Sequence, residues 1–272
     1  MERTPIVVGV DGSPASWDAL HWAVGEAHRW RAPLEVLIVD EGHGASGVRT
    51  NESRLAQMVS DARQLDRAVR ITGTVGHGHV VPALCEAARS ARMVVVGHRG
   101  HHGFGRLLAG SLSGRVAENA SVPVTVVHSD GTTSGPVVVG VDGSAGSDTA
   151  LGVACDEAER RGTGVVAVLA YSHPVHPWLT NGLAPPSDPQ LLHASACAAL
   201  EATVAPWRRK YPALPVRTVT AAAQAVPFLT DLSRRAQLVV VGAHGHGGPT
   251  GPLGSVPEKL LGRAHCPVLI AR

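Results

Sequence analysis

A glycine-rich segment that could hold a phosphate group occurs twice in the chain. The first copy runs through Gly97-His98-Arg99-Gly100 and closes on Gly110-Ser111-Leu112-Ser113. The second runs through Gly242-Ala243-His244-Gly245 and closes on Gly254-Ser255. Glycines let backbone N–H groups approach a ligand closely, and the N-terminus of a helix carries partial positive charge. A strand that leads into such glycines and then into Gly-Ser at a helix start therefore predicts an anion cradle.

Other sequence anchors repeat in the same order as these segments. One motif, an Asp-Gly-Ser element after a valine, occurs at Val10-Asp11-Gly12-Ser13 and again at Val141-Asp142-Gly143-Ser144. A second motif, a proline followed by valine, occurs at Val122-Pro123-Val124 and again at Cys266-Pro267-Val268. Repeated anchors in one order indicate a duplicated unit. We therefore expect a first domain at residues 1–130, a linker at 131–135 and a second domain at 136–272. The second copy has a longer loop, in the proline-rich stretch from Ser172 to Pro189.

Each half alternates short apolar runs with longer helical stretches, which indicates a parallel sheet covered on both faces. The predicted fold class is α/β, with two tandem Rossmann-like domains, each a five-stranded parallel sheet with helices on both faces. The strands expected in the first half lie near Ile6–Val10, Leu34–Val39, Val69–Thr74, Met93–Val96 and Val122–Val127. The helices expected there lie near Pro14–Trp30, Glu52–Arg67, Val80–Ser90 and Ser111–Asn119. The second half repeats the pattern.

The two kinds of motif are expected to meet at one crevice in each half. In open parallel sheets, ligands bind beyond the carboxyl ends of the strands, where the strand order reverses. Asp11 and Asp142 end the first strand of each half, and the glycine segments follow the fourth. Both aspartates could instead be turn formers, with Ser13 and Ser144 capping the next helix. Repetition beside a crevice favours ligand contact for Asp11 and leaves both interpretations open for Asp142.

Composition excludes some classes of partner. The chain has 24 Lys and Arg against 22 Asp and Glu, a formal net charge of +2, which argues against electrostatic binding to nucleic acid or a membrane surface. No apolar stretch could span a bilayer and the N-terminus lacks a signal pattern, so we expect a cytoplasmic protein.

Histidines around the glycine segments match no common zinc spacing, so no metal site is expected. Without a C-x-x-C pair, the cysteines are predicted to be buried thiols. They are Cys85, Cys155, Cys197 and Cys266.

With these motifs, the chain resembles the universal stress protein family in its tandem two-domain form. The family's nucleotide signature is satisfied by Gly97-x2-Gly100-x9-Gly110-Ser111. The resemblance implies adenine nucleotide α-hydrolase-like domains that bind ATP, with Mg²⁺ held largely by phosphate oxygens and water. It places Asp11 near the ribose or adenine, Val39 against the base, and the glycines and serines at the phosphates. The implied site residues are Asp11, Val39, Gly97, Arg99, Gly100, Gly110, Ser111, Leu112 and Ser113.

The second half departs from the signature in two ways. Only eight residues separate Gly245 from Gly254, and Pro257 stands where the first half has Ser113. A proline has no N–H to donate, and a residue lost from a tight cradle displaces its amides. We therefore expect weaker or absent nucleotide binding in this half. The residues that match the first site are Asp142, Ala170, Gly242, Gly245, Gly254 and Ser255.

The sequence favours binding over turnover. It lacks the P-loop pattern, and no lysine accompanies either glycine segment, whereas fast phosphoryl transfer needs positioned charges and a base. The expected function is ATP binding in a stress or regulatory role, with slow hydrolysis at most. The alternative is a nucleotide-independent interaction protein with vestigial clefts. An adenylate-transferring enzyme is less favoured, because Ser-Gly-Gly and His-Ile-Gly-His elements are missing.

The resemblance also implies how the domains associate. Family members pair through the last strand of each domain, here Val122–Val127 and Val268–Ala271. This predicts an intramolecular pseudo-dimer, and an exposed strand edge would equally support pairing between two chains as a homodimer.

Overall fold

The structure is a computed structural model in which the chain forms two compact units, Met1–Ser129 and Asp130–Arg272. It describes residues 4–42, 44–98, 112–128, 134–172, 177–180, 182, 186, 188–246 and 253–272. Across these ranges, no helix is both long enough and apolar enough to cross a membrane.

The first unit is a parallel sheet with helices packed on it. Its strands are β1 (Ile6–Val10), β2 (Leu34–Asp40), β3 (Ile71–His77), β4 (Met93–Gly97) and β5 (Val124–Val127). Its described helices are α1 (Pro14–Trp30), α2 (Gly44–Leu65), α3 (Val80–Ala88) and α4 (Leu112–Asn119). The strand order is β3-β2-β1-β4-β5, and each neighbouring pair is parallel.

The second unit repeats this arrangement. Its strands are β6 (Val137–Gly140), β7 (Val165–Tyr171), β8 (Val216–Ala222), β9 (Leu238–Gly242) and β10 (Val268–Ala271). Its described helices are α5 (Ala145–Arg161), α6 (Pro189–Lys210), α7 (Ala225–Ser233) and α8 (Ser255–Leu261), with a 3₁₀ turn at Pro177–Thr180. The order β8-β7-β6-β9-β10 is again parallel throughout. The predicted α/β fold class is confirmed.

The cores of both units are the central strands and the helix faces that cover them. Valines of β1 and β4 such as Val7 and Val94 are fully buried, as are Val139 of β6 and Val240 of β9. In the first unit α1 packs on α2 and α3 packs on α4, and right-handed crossovers place such helix pairs on opposite faces. Continuous apolar strands need this cover on both sides.

The predicted ends of helices and strands agree best with the structure where the sequence carries a local start or stop signal, such as a capping serine or a proline. Helix α1 begins at Pro14 and ends at Trp30 as predicted, but α2 begins at Gly44 and not at Glu52, and β3 runs Ile71–His77 and not Val69–Thr74. The early turns of α2 contain glycine, serine and alanine, which give no apolar period to recognise. Pairing with β2 sets the start of β3, because Ile71 lies opposite Leu34.

Candidate functional site

The first crevice lies at the carboxyl ends of β1 and β4, where the strand order reverses. These two strands are direct neighbours, with Ile6 opposite Met93. Beyond β1, the carboxylate oxygen Oδ1 of Asp11 accepts a hydrogen bond of 2.9 Å from the backbone N–H of Ser13. Gly12 between them has a φ of 80°, a left-handed conformation that glycine adopts without strain. Asp11 is thus a turn former, and its side chain stands at the crevice that the topology defines.

The same turn starts the helix that follows. The hydroxyl of Ser13 accepts a hydrogen bond of 3.2 Å from the N–H of Ser16, and Pro14 occupies the first turn, where a missing N–H costs nothing. The interpretation of the Asp-Gly-Ser element as a turn and helix cap is therefore confirmed, and ligand contact by Asp11 stays a prediction. The element caps α1, and it fixes the N-terminus of α1 at the edge of the crevice.

Gly97 ends β4 directly against the first turn of α1. A Cβ atom added at Gly97 would stand 2.5 Å from the carbonyl oxygen of Ala15 and 2.7 Å from its carbonyl carbon. Only glycine permits this approach of strand and helix. The first glycine of the signature therefore has a packing role that the sequence reasoning, which assigned it to the phosphates, did not identify.

The next residue, His98, leads away from the strand and is held by its backbone and its ring. Its N–H donates a hydrogen bond of 2.9 Å to the carbonyl of Val127, and its imidazole stacks on that of His128, with ring centroids 4.4 Å apart. His128 is buried. His98 is thus packed at the ends of β4 and β5, and is not a simple exposed loop histidine.

The end of β2 forms a second wall of the first unit's crevice. Val39 is half-buried and Asp40, which follows it, is buried. The carboxylate oxygen Oδ1 of Asp40 accepts a hydrogen bond of 3.3 Å from the side-chain amide of Asn51 on α2. Val39 therefore lies one residue before the end of β2, next to a fixed carboxylate, and its contact with a base stays a prediction.

Arg54 of α2 brings a cation to the Asp11 turn. Its guanidinium nitrogen Nη1 donates a hydrogen bond of 3.2 Å to the carbonyl oxygen of Asp11. A Cβ added at Gly12 would meet the Cδ of Arg54 at 2.5 Å, so the arginine side chain lies across the turn. It also lines a shallow surface groove with Trp17 and Ser53. Sequence reasoning missed Arg54, because a helix residue outside any motif has no local signal.

The remaining predicted residues of the first site divide into two groups. Helix α4 begins at Leu112, which is exposed, and the next residue, Ser113, is buried with 3% of its surface accessible. The other group lies outside the described residues: Arg99, Gly100, Gly110 and Ser111.

In the second unit the corresponding turn has the same construction. Oδ1 of Asp142 accepts hydrogen bonds from the N–H of Ser144 at 3.0 Å and from its hydroxyl at 2.6 Å, and Gly143 has a φ of 83°. The hydroxyl of Ser144 also accepts from the N–H of Ser147 at 3.1 Å and so caps α5. Ala170 is half-buried, one residue before the end of β7.

The glycine segment of the second unit packs onto this turn. A Cβ at Gly242 would stand 2.6 Å from the carbonyl oxygen of Gly146, and one at Gly245 would collide with the carboxylate of Asp142. Nε2 of His246 lies 2.6 Å from the carbonyl oxygen of Asp142. The chain itself therefore lies against the aspartate of the second crevice.

The second glycine segment ends at the start of α8. Gly254 is the N-cap and, having no side chain, offers no capping oxygen; its N–H donates a hydrogen bond of 2.9 Å to the carbonyl of Ala243. Ser255 is the first residue of α8 and Pro257 is buried in its first turn. The two loop prolines, Pro249 and Pro252, lie outside the described residues.

Within the described part of the chain, no group of three or more His, Cys, Asp or Glu side chains could hold a metal ion.

Two parallel α/β units, each with an Asp-Gly-Ser turn facing a glycine-ended fourth strand, define a duplicated Rossmann-like protein. Comparison with known proteins identifies the family. The sequence matches the Universal stress protein family twice, over residues 2–128 and 134–272. The chain belongs to the universal stress protein family, as a tandem two-domain member.

Relatives in mycobacteria match almost the whole chain. Universal stress protein Rv1996 of Mycobacterium tuberculosis is 34% identical over 305 residues, covering 98% of this chain and 94% of the relative. Universal stress protein Rv2005c of the same species is 36% identical over 291 residues, covering 98% and 96%. Among solved structures, a universal stress protein from Archaeoglobus fulgidus superposes with a TM-score of 0.74 at 18% identity, covering 100% of this chain and 97% of that one.

Proposed function

We propose that this universal stress protein binds ATP in its first domain and acts by binding, in a stress or regulatory role. The observation that carries the proposal is the convergence at one strand-order reversal of the Asp11 turn, the end of β4 and the guanidinium of Arg54. The intact signature Gly97-x2-Gly100-x9-Gly110-Ser111 begins at that point in the chain.

Each described group suits one part of a nucleotide. A carboxylate has two oxygens that accept several hydrogen bonds, so Asp11 can hold its turn and still accept from a ribose hydroxyl. Val39 offers an apolar surface to a base. Arg54 supplies a cation for phosphate oxygens, and the helix start at Leu112 supplies N–H groups. The signature segment would add Arg99, which lies outside the described residues. Mg²⁺ would arrive with the phosphates.

The second crevice supports a weaker site or none. Gly245 lies against the carboxylate of Asp142, and His246 lies at hydrogen-bond distance from its carbonyl oxygen. The shortened segment and Pro257 remove further donors. We therefore propose one ATP per chain.

A matched pair of substitutions tests both parts of the proposal. Asparagine keeps the oxygen that accepts the turn hydrogen bond but removes the charge, so Asp11→Asn and Asp142→Asn perturb equivalent groups equally. By calorimetry of the full chain, we expect one ATP per chain, about tenfold weaker binding in Asp11→Asn and unchanged binding in Asp142→Asn. An absence of binding heat, with no nucleotide in the purified protein, would favour the scaffold alternative.

Three further properties remain predictions of the sequence. They are the cytoplasmic location, the association of the two domains through their last strands, and homodimer formation through the same edge. Light scattering of the purified chain at several concentrations measures whether chains pair.

A further inference from the structure

Three side chains meet where the end of β7 lies beside α6, one on the strand and two on the helix. Tyr171 is the last residue of β7, as Asp40 is the last residue of the seven-residue strand β2. Where Asp40 meets an asparagine of α2, Tyr171 meets a histidine of α6, and that histidine lies beside a cysteine of the same helix. The hydroxyl of Tyr171 lies 3.2 Å from Nδ1 of His193, and Nε2 of His193 lies 3.6 Å from Sγ of Cys197.

The geometry is that of a thiol beside a base that is itself held in place. His193 and Cys197 are four residues apart on α6, so they share one face of the helix. The two ring nitrogens of His193 point to different partners, and a tyrosine hydroxyl can either donate or accept a hydrogen bond. Tyr171 can therefore hold the imidazole in its neutral form and in its protonated form.

Cys197 is more exposed to solvent than the two buried cysteines. The prediction of buried thiols holds for Cys155 and Cys266, whereas Cys197 and Cys85 are half-exposed. Burial raises the pKa of the Cys155 thiol to about 11 and that of the Cys266 thiol to about 12, so neither reacts readily at neutral pH. Burial also raises the pKa of Tyr171, and the nearby charge of Cys197 adds to this, so the hydroxyl stays protonated.

We propose that Cys197 is a thiol–disulfide exchange site for low-molecular-weight disulfides, with His193 as its base and Tyr171 as a positioning residue. The site belongs to the second unit and shares no residue with the nucleotide crevice proposed for the first domain. A bound metal ion is a poorer occupant, because the described residues bring no third His, Cys, Asp or Glu ligand to the pair.

The exchange step balances without a further reagent. The proton on Sγ of Cys197 passes to Nε2 of His193, and the thiolate attacks one sulfur of the disulfide RS–SR. A new Sγ–S bond forms as the original S–S bond breaks. Cys197 is oxidised to a mixed disulfide, and the departing half, RS⁻, is reduced and takes the proton from the imidazolium to leave as RSH. A second thiol reverses the reaction.

The test uses Cys85 as an internal control in the intact protein. The protein is reacted briefly with the aromatic disulfide DTNB, and the label on each cysteine is quantified by mass spectrometry. We expect Cys197 to react at least about tenfold faster than Cys85, the other half-exposed thiol. The buried Cys155 and Cys266 should remain unlabelled.

Two variants assign the roles. His193→Ala should slow labelling of Cys197 about tenfold, and imidazole added to the buffer should restore part of the rate because it can replace the missing base. Tyr171→Phe removes only the positioning hydrogen bond and should slow labelling roughly threefold. A purely structural role for His193 would give no rescue by imidazole.

The proposal fails if Cys197 reacts no faster than Cys85, or if His193→Ala leaves its rate unchanged. Labelling of Cys155 and Cys266 would reveal an unfolded variant. In that case two measurements still decide between the outcomes. They are the labelling rate of Cys197 relative to that of Cys85 in the unsubstituted protein, and the labelling rate of Cys197 in Tyr171→Phe.

Discussion

The close approach of β4 to α1 makes the substitution Gly97→Ala a sharp test of the fold around the proposed site. The new Cβ would stand 2.5 Å from the carbonyl oxygen of Ala15. An ordinary C···O contact is about 3.3 Å, so strand and helix must separate by roughly 0.8 Å. The obstacle is backbone, so no side-chain rotation relieves it. Overpacking of this kind costs about 2 kcal/mol, which for a domain of this size lowers the midpoint of thermal unfolding by roughly 6–8 °C.

The assay is thermal unfolding by circular dichroism, with a control that makes the same chemical change elsewhere. Gly25 lies inside α1, and a Cβ there would be 3.6 Å from its nearest neighbour, Nη1 of Arg29, an ordinary contact. Gly25→Ala should therefore stabilise the protein by about 1 kcal/mol through helix propensity. If Gly97→Ala were as stable as the unsubstituted protein, or shifted the midpoint upward like the control, the packing argument would be refuted.

Three further predictions concern the second unit. Gly152→Ala, also inside a helix, places a Cβ 2.5 Å from the indole of Trp207, and the clash should outweigh the gain from helix propensity and cost about 1 kcal/mol net in urea unfolding. When Trp207→Leu is already present, the same change should stabilise the protein. Arg161→Met removes the guanidinium that contacts the buried carboxylate of Glu157 at 3.1 Å, and should lower the unfolding free energy by about 3 kcal/mol; retention of full stability would contradict this. Burial, reinforced by a hydrogen bond to an aspartate, raises the pKa of Tyr211 above the ordinary tyrosine value of 10.0. The folded state then holds a proton that the unfolded state has lost, so stability should fall as pH rises above 10.0, and less so in Tyr211→Phe.

The parts of the site that the sequence predicted are those set by local chemistry. Asp-Gly-Ser followed by proline or alanine carries a turn and a helix cap in three or four residues, and the valine runs mark the strands. The position of the crevice then follows from the strand-order rule for parallel sheets. Asp11 and Gly97 could be placed at the ends of their strands on these grounds alone, whereas the choice of Val39 came from the family resemblance.

The parts that the sequence did not predict depend on how a helix lies on the sheet. Arg54 reaches the Asp11 turn because α2 packs on β2 and β3, a relation between residues far apart in the chain. Cys197 lies in a stretch of alanine and serine where no apolar period shows which face is buried. Its exposure, and its nearness to Tyr171, come from the packing of α6 beside β7.

The self-closing Asp-Gly-Ser turn has a consequence for how a duplicated protein can change. In both units the aspartate and serine bond within the turn and start a helix, and no ligand is required for this. A domain could therefore lose nucleotide binding while all the residues of the turn stay in place, because folding still requires them. The strand end next to it is then open to different side chains, and in this chain β7 ends on a tyrosine beside a histidine and a thiol. An intact Asp-Gly-Ser turn is thus a marker of a folded domain, and under the proposed function the glycine spacing after the fourth strand is the better marker of a domain that binds nucleotide.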